Sequence, residues 1–254
     1  VRPFVIAEVT WKLVQAHPYE VVVLPWGATE AHNYHLPYAT DNIQNDRVAT
    51  EAARIAWERG AHVGVLPNIP FGVNTGQLDI PLDINMNPST QFAVLRDVVD
   101  ALSRQAIPKL LVLNGHGGND FKQMLRELQP HFPRVFLCTM NWYGAESWGP
   151  YFDDLGDHAG EMETSLMMHL APELVRPLSE AGSGVQHPFK IRALREKWAW
   201  AQRDWLKATD DTGAGDPAKA TAEKGERYFR AVTERIAGFL VDLARADPND
   251  LYEA

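Results

Sequence analysis

The chain has 254 residues, a length that α/β architectures often build around one core. With 45% apolar and 22% charged residues it carries enough hydrophobic material for a packed interior, which excludes wholesale disorder, and no apolar run approaches membrane-spanning length. The formal charge of −9 excludes nucleic acid as a main partner, because phosphate neutralisation needs clustered Lys and Arg.

Residues 20–25 form a β-branched apolar run halted by Pro25 and are expected to be a buried strand. Residues 46–59 carry small and apolar side chains at helical spacing and stop at Gly60; Asp46 has the natural role of capping that helix. Residues 61–66 read as a second strand closed by Pro67, and 90–105 as an amphipathic helix. A third strand is expected at 109–113, a helix at 120–128 and a fourth strand at 134–140. A helix follows at 161–170. Residues 193–211, rich in Trp and charge, are expected to be exposed and mobile, and 217–246 to hold a long final helix. Strand–helix alternation with continuously apolar strands predicts an α/β three-layer sandwich with a mostly parallel central sheet. No repeat or linker divides the chain, so one domain over 1–254 is expected. The lone cysteine, Cys138, cannot form an internal disulfide and sits mid-strand among apolar residues, where a thiol is inert. No signal-peptide pattern is recognisable near residue 1, so a cytoplasmic location is expected.

Three segments carry chemistry. After the first strand, residues 27–42 hold Glu30, His32, His35 and Asp41, at the strand end where α/β sheets bind ligands. Imidazole mixed with carboxylate and no cysteine suits Zn²⁺ or Mn²⁺; a solvated, helix-capping loop is the equal alternative for this segment alone. After the third strand comes Asn114-Gly-His-Gly-Gly-Asn119, a glycine-lined histidine without the lysine of a phosphate loop. The third segment runs from Asp157 and His158 to Ser165. Glu163 falls on a helical stripe with Leu166, Met167 and Leu170, where a carboxylate must be neutralised, paired or metal-bound. Glu161 falls nearer solvent, as a first-turn acid favoured by the helix dipole. His158 can act as a general acid or cap a turn. Trp142, Tyr143 and Trp148 either wall a pocket for a small flat substrate or belong to the core.

These motifs, together with Gly215-Asp-Pro217 and residues 220–225, resemble the creatininase (creatinine amidohydrolase) family, in the family's order over residues 24–225. The resemblance implies a Rossmann-like α/β fold, a homo-oligomer, usually a hexamer, and two divalent ions per chain, Zn and/or Mn. It implies Glu30, His32, Asp41 and His116 as ligands, with Asp41 bridging; Glu163 is added as the fifth. Glu30 and His116 are assigned to one ion, His32 and Glu163 to the other, and His158 and Glu163 to catalysis. A metal-activated hydroxide would attack the carbonyl of a small cyclic amide or formamide. Hydrolytic ring opening of a cyclic polyol ketone and a silent metal- or metabolite-binding scaffold are the alternatives. Two departures stand out. Gly118 occupies the position of a glutamate ligand in creatinine-hydrolysing members. Around Gln77 many relatives have a histidine, and Leu82-Asp83 replaces their Gly-Thr. Creatinine itself is therefore not the expected substrate.

Overall fold

The computed structural model describes residues 1–253. Its helices are α1 (Trp11–Ala16), α2 (Thr40–Glu58), α3 (Pro88–Arg104), α4 (Lys122–Leu128), α5 (Glu161–Leu170), α6 (Arg192–Arg195), α7 (Trp205–Ala208) and α8 (Ala222–Arg245). The strands β1 (Val21–Trp26), β2 (Val63–Val65), β3 (Lys109–Asn114) and β4 (Phe136–Asn141) form one sheet in the order β2-β1-β3-β4, every pair parallel. The period-2 alternation of the strands divides the core. Val21, Val23, Leu111 and Leu113 face α2, α5 and α8, whereas Val22, Leu24, Leu110 and Val112 face α3 and α4. This is the three-layer α/β sandwich expected from continuous apolar strands. On α8, the buried Tyr228, Val232, Ile236 and Leu240 lie along one stripe, each worth about 1.5–3 kcal/mol of burial. Gly225 lets α8 approach α5: a Cβ there would stand 2.0 Å from the Ser165 carbonyl oxygen. Among the described residues no helix is long and apolar enough to cross a membrane.

From β1 the chain moves outward to β2, then returns across β1 to β3, so the order reverses between β1 and β3. That reversal opens a crevice at the carboxyl ends of the two strands. The segments entering it are the β1–α2 connection and the loop after Asn114.

Several boundaries differ from the sequence expectation for identifiable reasons. The second helix begins at Thr40, not at residue 46, so Asp41 lies in its first turn and Asp46 is interior rather than a cap. Its first two turns escape an apolar-period search because their buried side chains are polar: the Gln44 amide donates to the Glu163 carbonyl (3.0 Å) and the Asn45 amide to the Leu113 carbonyl (3.1 Å). The last helix begins at Ala222, where Thr221 caps it by accepting from the Lys224 amide. Trp198 and Trp200 are exposed as expected of 193–211, yet Trp205 turns back and is buried.

Candidate metal centre

Six side chains from three segments meet in the crevice. Glu30, His32 and Asp41 come from the β1–α2 connection and the first turn of α2, His116 from the loop after β3, and His158 and Glu163 from the segment leading into α5 and its first turn. His116 Nδ1 lies 3.0 Å from both Glu30 Oε1 and Asp41 Oδ2. His32 Nε2 lies 3.0 Å from Asp41 Oδ1 and 3.9 Å from Glu163 Oε1. Asp41 thus turns one oxygen toward each histidine. The potential donor atoms fall into groups that each fit within 4.8 Å: Glu30, Asp41 and His116; His32, Asp41 and Glu163; and Glu30, His32 and His158. The first two share Asp41.

Each histidine spends one ring N–H on a backbone carbonyl. His32 Nδ1–H donates to Glu30 O (3.1 Å), His116 Nε2–H to Val73 O (3.1 Å) and His158 Nε2–H to Ala31 O (2.9 Å). The opposite nitrogen is left aimed at carboxylate oxygens, the arrangement that orients imidazole for a cation. The glycine at 118 is what permits the His116 contact, since a Cβ there would stand 2.3 Å from the Val73 oxygen and 2.5 Å from His116 Nε2. A glutamate in this position would displace that support.

Three carboxylates and three imidazoles, nearly all buried, form a cluster of net charge −3 when the histidines are neutral. Such a cluster must take up protons or cations. Burial drives His32 downward, but the Asp41, Glu163 and Glu30 carboxylates reverse this and raise it to about 10. Burial opposes ionisation of Asp41, yet His32 and His116 hold it well below the usual carboxylate range. Burial is the main cause of the upward shift of Glu163. His116 is likewise raised, Glu30 and Asp41 outweighing its burial. The donor set fits divalent cations of the Zn²⁺ or Mn²⁺ kind.

A pH prediction follows for protein stripped with EDTA. The stability from raised His32 is fully present below its ordinary value of 6.5 and is lost as pH rises through about 10. The contribution of Asp41 is present above 3.8 and is lost only as pH falls through its depressed value. The melting temperature of stripped protein is therefore expected to fall between pH 6.5 and 10, and Zn²⁺ to abolish that fall. Thermal unfolding at pH 6.5, 8 and 9.5 checks this; a flat profile without metal would contradict it.

Other candidates separate from the cluster. His35 is fully buried, its Nε2 bonded to the Thr164 hydroxyl (2.8 Å), and burial lowers it to about 4, so it is a neutral strut. Glu161, expected near solvent, is wholly buried: it accepts from the amides of Asp153 and Asp154 (2.7 Å each) and pairs with Lys224. The start of α8 covers that side of α5, whereas the Glu163 side chain keeps 14% exposure. Trp142 is core, while Trp148 lines a narrow cleft with Asp157, His158 and Glu163. Burial pushes the Cys138 thiol up to about 12, consistent with an inert role. A larger groove of about 500 Å³, between α2 and α8, contains none of the cluster; its Glu51, Glu58 and Glu234 pair with its own arginines.

Sequence reasoning overlooked the supports. Asn119 accepts from the Val73 backbone amide (3.0 Å) and the Gln91 side chain (2.8 Å) and donates to Asn114 (3.0 Å), tying the loop after β3 to the Val73 loop, to α3 and to the end of β3. Trp205 packs on the His158 ring at 4.9 Å, and Gln77 donates to Glu30. Asn119 closes the glycine motif and could have been found there; the other two lie in segments without periodicity.

The model of the creatininase family, described as creatinine amidohydrolase, matches residues 7–240. A mycofactocin precursor peptide peptidase of Mycobacterium tuberculosis is 30% identical over 84% of this chain and 81% of its own length. A creatinine amidohydrolase of Pseudomonas putida is 27% identical over 67% of this chain and 73% of its own. A crystal structure from Bacteroides fragilis NCTC 9343, provisionally named a creatinine amidohydrolase, superposes with a TM-score of 0.93 at 46% identity over 100% of both chains. Crystal structures of creatininase in Zn–Zn and Mn forms, 23% and 22% identical, share the fold at TM-scores of 0.76 and 0.77, each covering 96% of this chain and 99% of theirs. The chain belongs to the creatininase family.

Proposed function

We propose that the protein is a divalent-metal-dependent hydrolase that cleaves the carbonyl–nitrogen bond of a small cyclic amide or formamide. The observation that carries this reading is Asp41, whose two oxygens serve two separate donor groups. Glu30 and His116 would hold one ion, His32 and Glu163 the other, with Asp41 between them. Divalent ions held this way would supply an activated water, whose pKa falls from 15.7 to about 7 on a metal, and a Lewis acid for the carbonyl oxygen. In this reading Glu163, raised by burial yet reached by solvent, would also take the proton of the attacking water. His158 keeps Nδ1 free on the cluster side because its Nε2–H is committed to Ala31, so it can carry a proton to the leaving nitrogen. Trp148 lines the cleft beside His158 and Glu163 and would offer a flat wall to a flat substrate.

The peptidase name of the Mycobacterium tuberculosis relative favours a second reading, hydrolysis of a peptide bond by the same groups. Both readings break a carbonyl–nitrogen bond. The test is metal analysis after dialysis against trace Zn²⁺ and Mn²⁺, followed by turnover on lactams, formamides and short peptides. About two ions per chain with turnover of a lactam or formamide supports the proposal. Turnover of peptides alone moves the substrate to the second reading, and a chain that holds no metal refutes both.

A further inference from the structure

We propose that Gln77 is a positioning residue that keeps one oxygen of Glu30 out of the metal site, and thereby sets the affinity for the ion held by Glu30, Asp41 and His116. The inference rests on the metal reading above. Gln77 lies 47 residues from Glu30 in the chain, is 4% exposed, and donates its side-chain N–H to Glu30 Oε2. The two Glu30 oxygens consequently have different surroundings. Oε1 faces His116 Nδ1 (3.0 Å), His158 Nδ1 (3.7 Å) and His32 Nε2 (4.0 Å), while Oε2 receives the amide. A carboxylate without that restraint could turn or offer both oxygens to a cation; a tethered one offers a single oxygen in a fixed plane.

The amide is well matched to this task. It donates without adding charge, so Glu30 retains its negative charge for a cation, which a lysine or arginine would cancel. Its orientation follows from electrostatics, because the reversed amide would set an oxygen against a carboxylate oxygen. Gln77 Oε1 is buried and has no hydrogen-bond partner. An apolar side chain of equal length would avoid that desolvation penalty, so packing alone does not explain a glutamine here; the charged hydrogen bond to Glu30 does.

The loop around Gln77 is itself held in place. The Gln77 backbone N–H donates to Asn74 O (2.9 Å), the Ile80 backbone N–H to Gln77 O (3.0 Å), and the Trp205 backbone N–H to Gly76 O (3.0 Å). The Asn74 side chain reaches Thr29 O (3.4 Å) and Ile84 O (3.3 Å), fastening the loop to the segment that carries Glu30. Glu30 is therefore oriented from the side opposite the histidines.

The test is Zn²⁺ titration of the full chain against a chromophoric chelator, comparing the parent with Gln77→Met and Gln77→Leu, each checked for cooperative unfolding. Loss of an outer partner of a metal ligand typically weakens binding about 10- to 100-fold. One ion is expected to weaken by that factor and the other to stay within about threefold. Gln77→Glu adds a readout that packing does not move. It keeps the length and volume of glutamine but removes the side-chain N–H donated to Glu30 Oε2, so weakening of the same ion, with the other ion and cooperative unfolding retained, is expected. Zn²⁺ affinities within threefold of the parent at both ions would overturn the proposal, as would equal weakening of both ions together with non-cooperative unfolding. A parent chain that binds no Zn²⁺ at all would overturn the metal reading, and this inference with it.

Discussion

Asp41→Asn is expected to strip the protein of both ions and to lower kcat/KM on its substrate by about 10⁴-fold or more, equivalent to about 5.4 kcal/mol of transition-state stabilisation. The substitution preserves shape and removes two things. One is the charge that two buried histidines face. The other is one of the oxygens aimed at His32 Nε2 and His116 Nδ1, each at 3.0 Å. Whichever oxygen becomes the amide group, one histidine meets an N–H where it had an acceptor. Without metal the same change removes one of the carboxylates that raise both imidazoles, the main one for His32, while Glu30 still faces His116, so both become neutral at a lower pH than in the parent. Breaking a buried pair costs about 3–5 kcal/mol when the remaining charge is trapped. Above pH 7 the histidines can shed their protons instead, so the loss of stability should be smaller at pH 8 than at pH 6. Elemental analysis with thermal unfolding in EDTA at the two pH values checks both halves. An Asp41→Asn chain that retains one ion at parental affinity would show that the carboxylate serves one position only.

The way Asp41 is held also shows what sequence can and cannot disclose. Continuous apolar runs such as 109–113 disclose β1, β2 and β3, because strands buried on both faces leave no polar period to misread, whereas β4 is largely half-buried and is disclosed by its β-forming residues instead. The first turns of α2 were illegible for the opposite reason: their inward face is lined by Asp41, Gln44 and Asn45, which serve the crevice instead of the core. The two acids of α5 teach a related lesson. Helical spacing correctly separated Glu161 from Glu163, but which side is sealed depends on where α8 lands, and that is decided 60 residues later by Gly225 and Lys224. Glu30, His32, Asp41 and His116 were nameable because they sit in compact motifs at strand ends. Gln77 reaches the same place from a loop and Trp205 from the short α7, segments whose course no local pattern encodes; sequence marks Gln77 only as a departure from relatives, and its contact with Glu30 takes the folded chain to reveal.

His158→Gln is expected to reduce kcat by about 10²- to 10⁴-fold, the usual worth of a positioned general acid or base, while leaving about two ions bound. The ring is fixed from three directions: Nε2–H donates to Ala31 O at 2.9 Å, His32 stacks at 4.1 Å and Trp205 packs at 4.9 Å. Its free Nδ1 comes no nearer to Glu30 Oε1 than 3.7 Å, longer than a hydrogen bond and unlike the 3.0 Å contacts of His32 and His116 with Asp41. A ring held this firmly yet set back from the shared carboxylate suits proton delivery better than ligation. Glutamine retains a donor for Ala31 but cannot shuttle a proton at neutral pH, so folding and binding should survive while turnover does not. His158 also completes a third group with Glu30 and His32, which makes ligation the specific competing role. The two roles separate on metal content. Loss of one ion from His158→Gln would make it a ligand, whereas two ions with slow turnover and an unchanged KM would assign it to the chemical step.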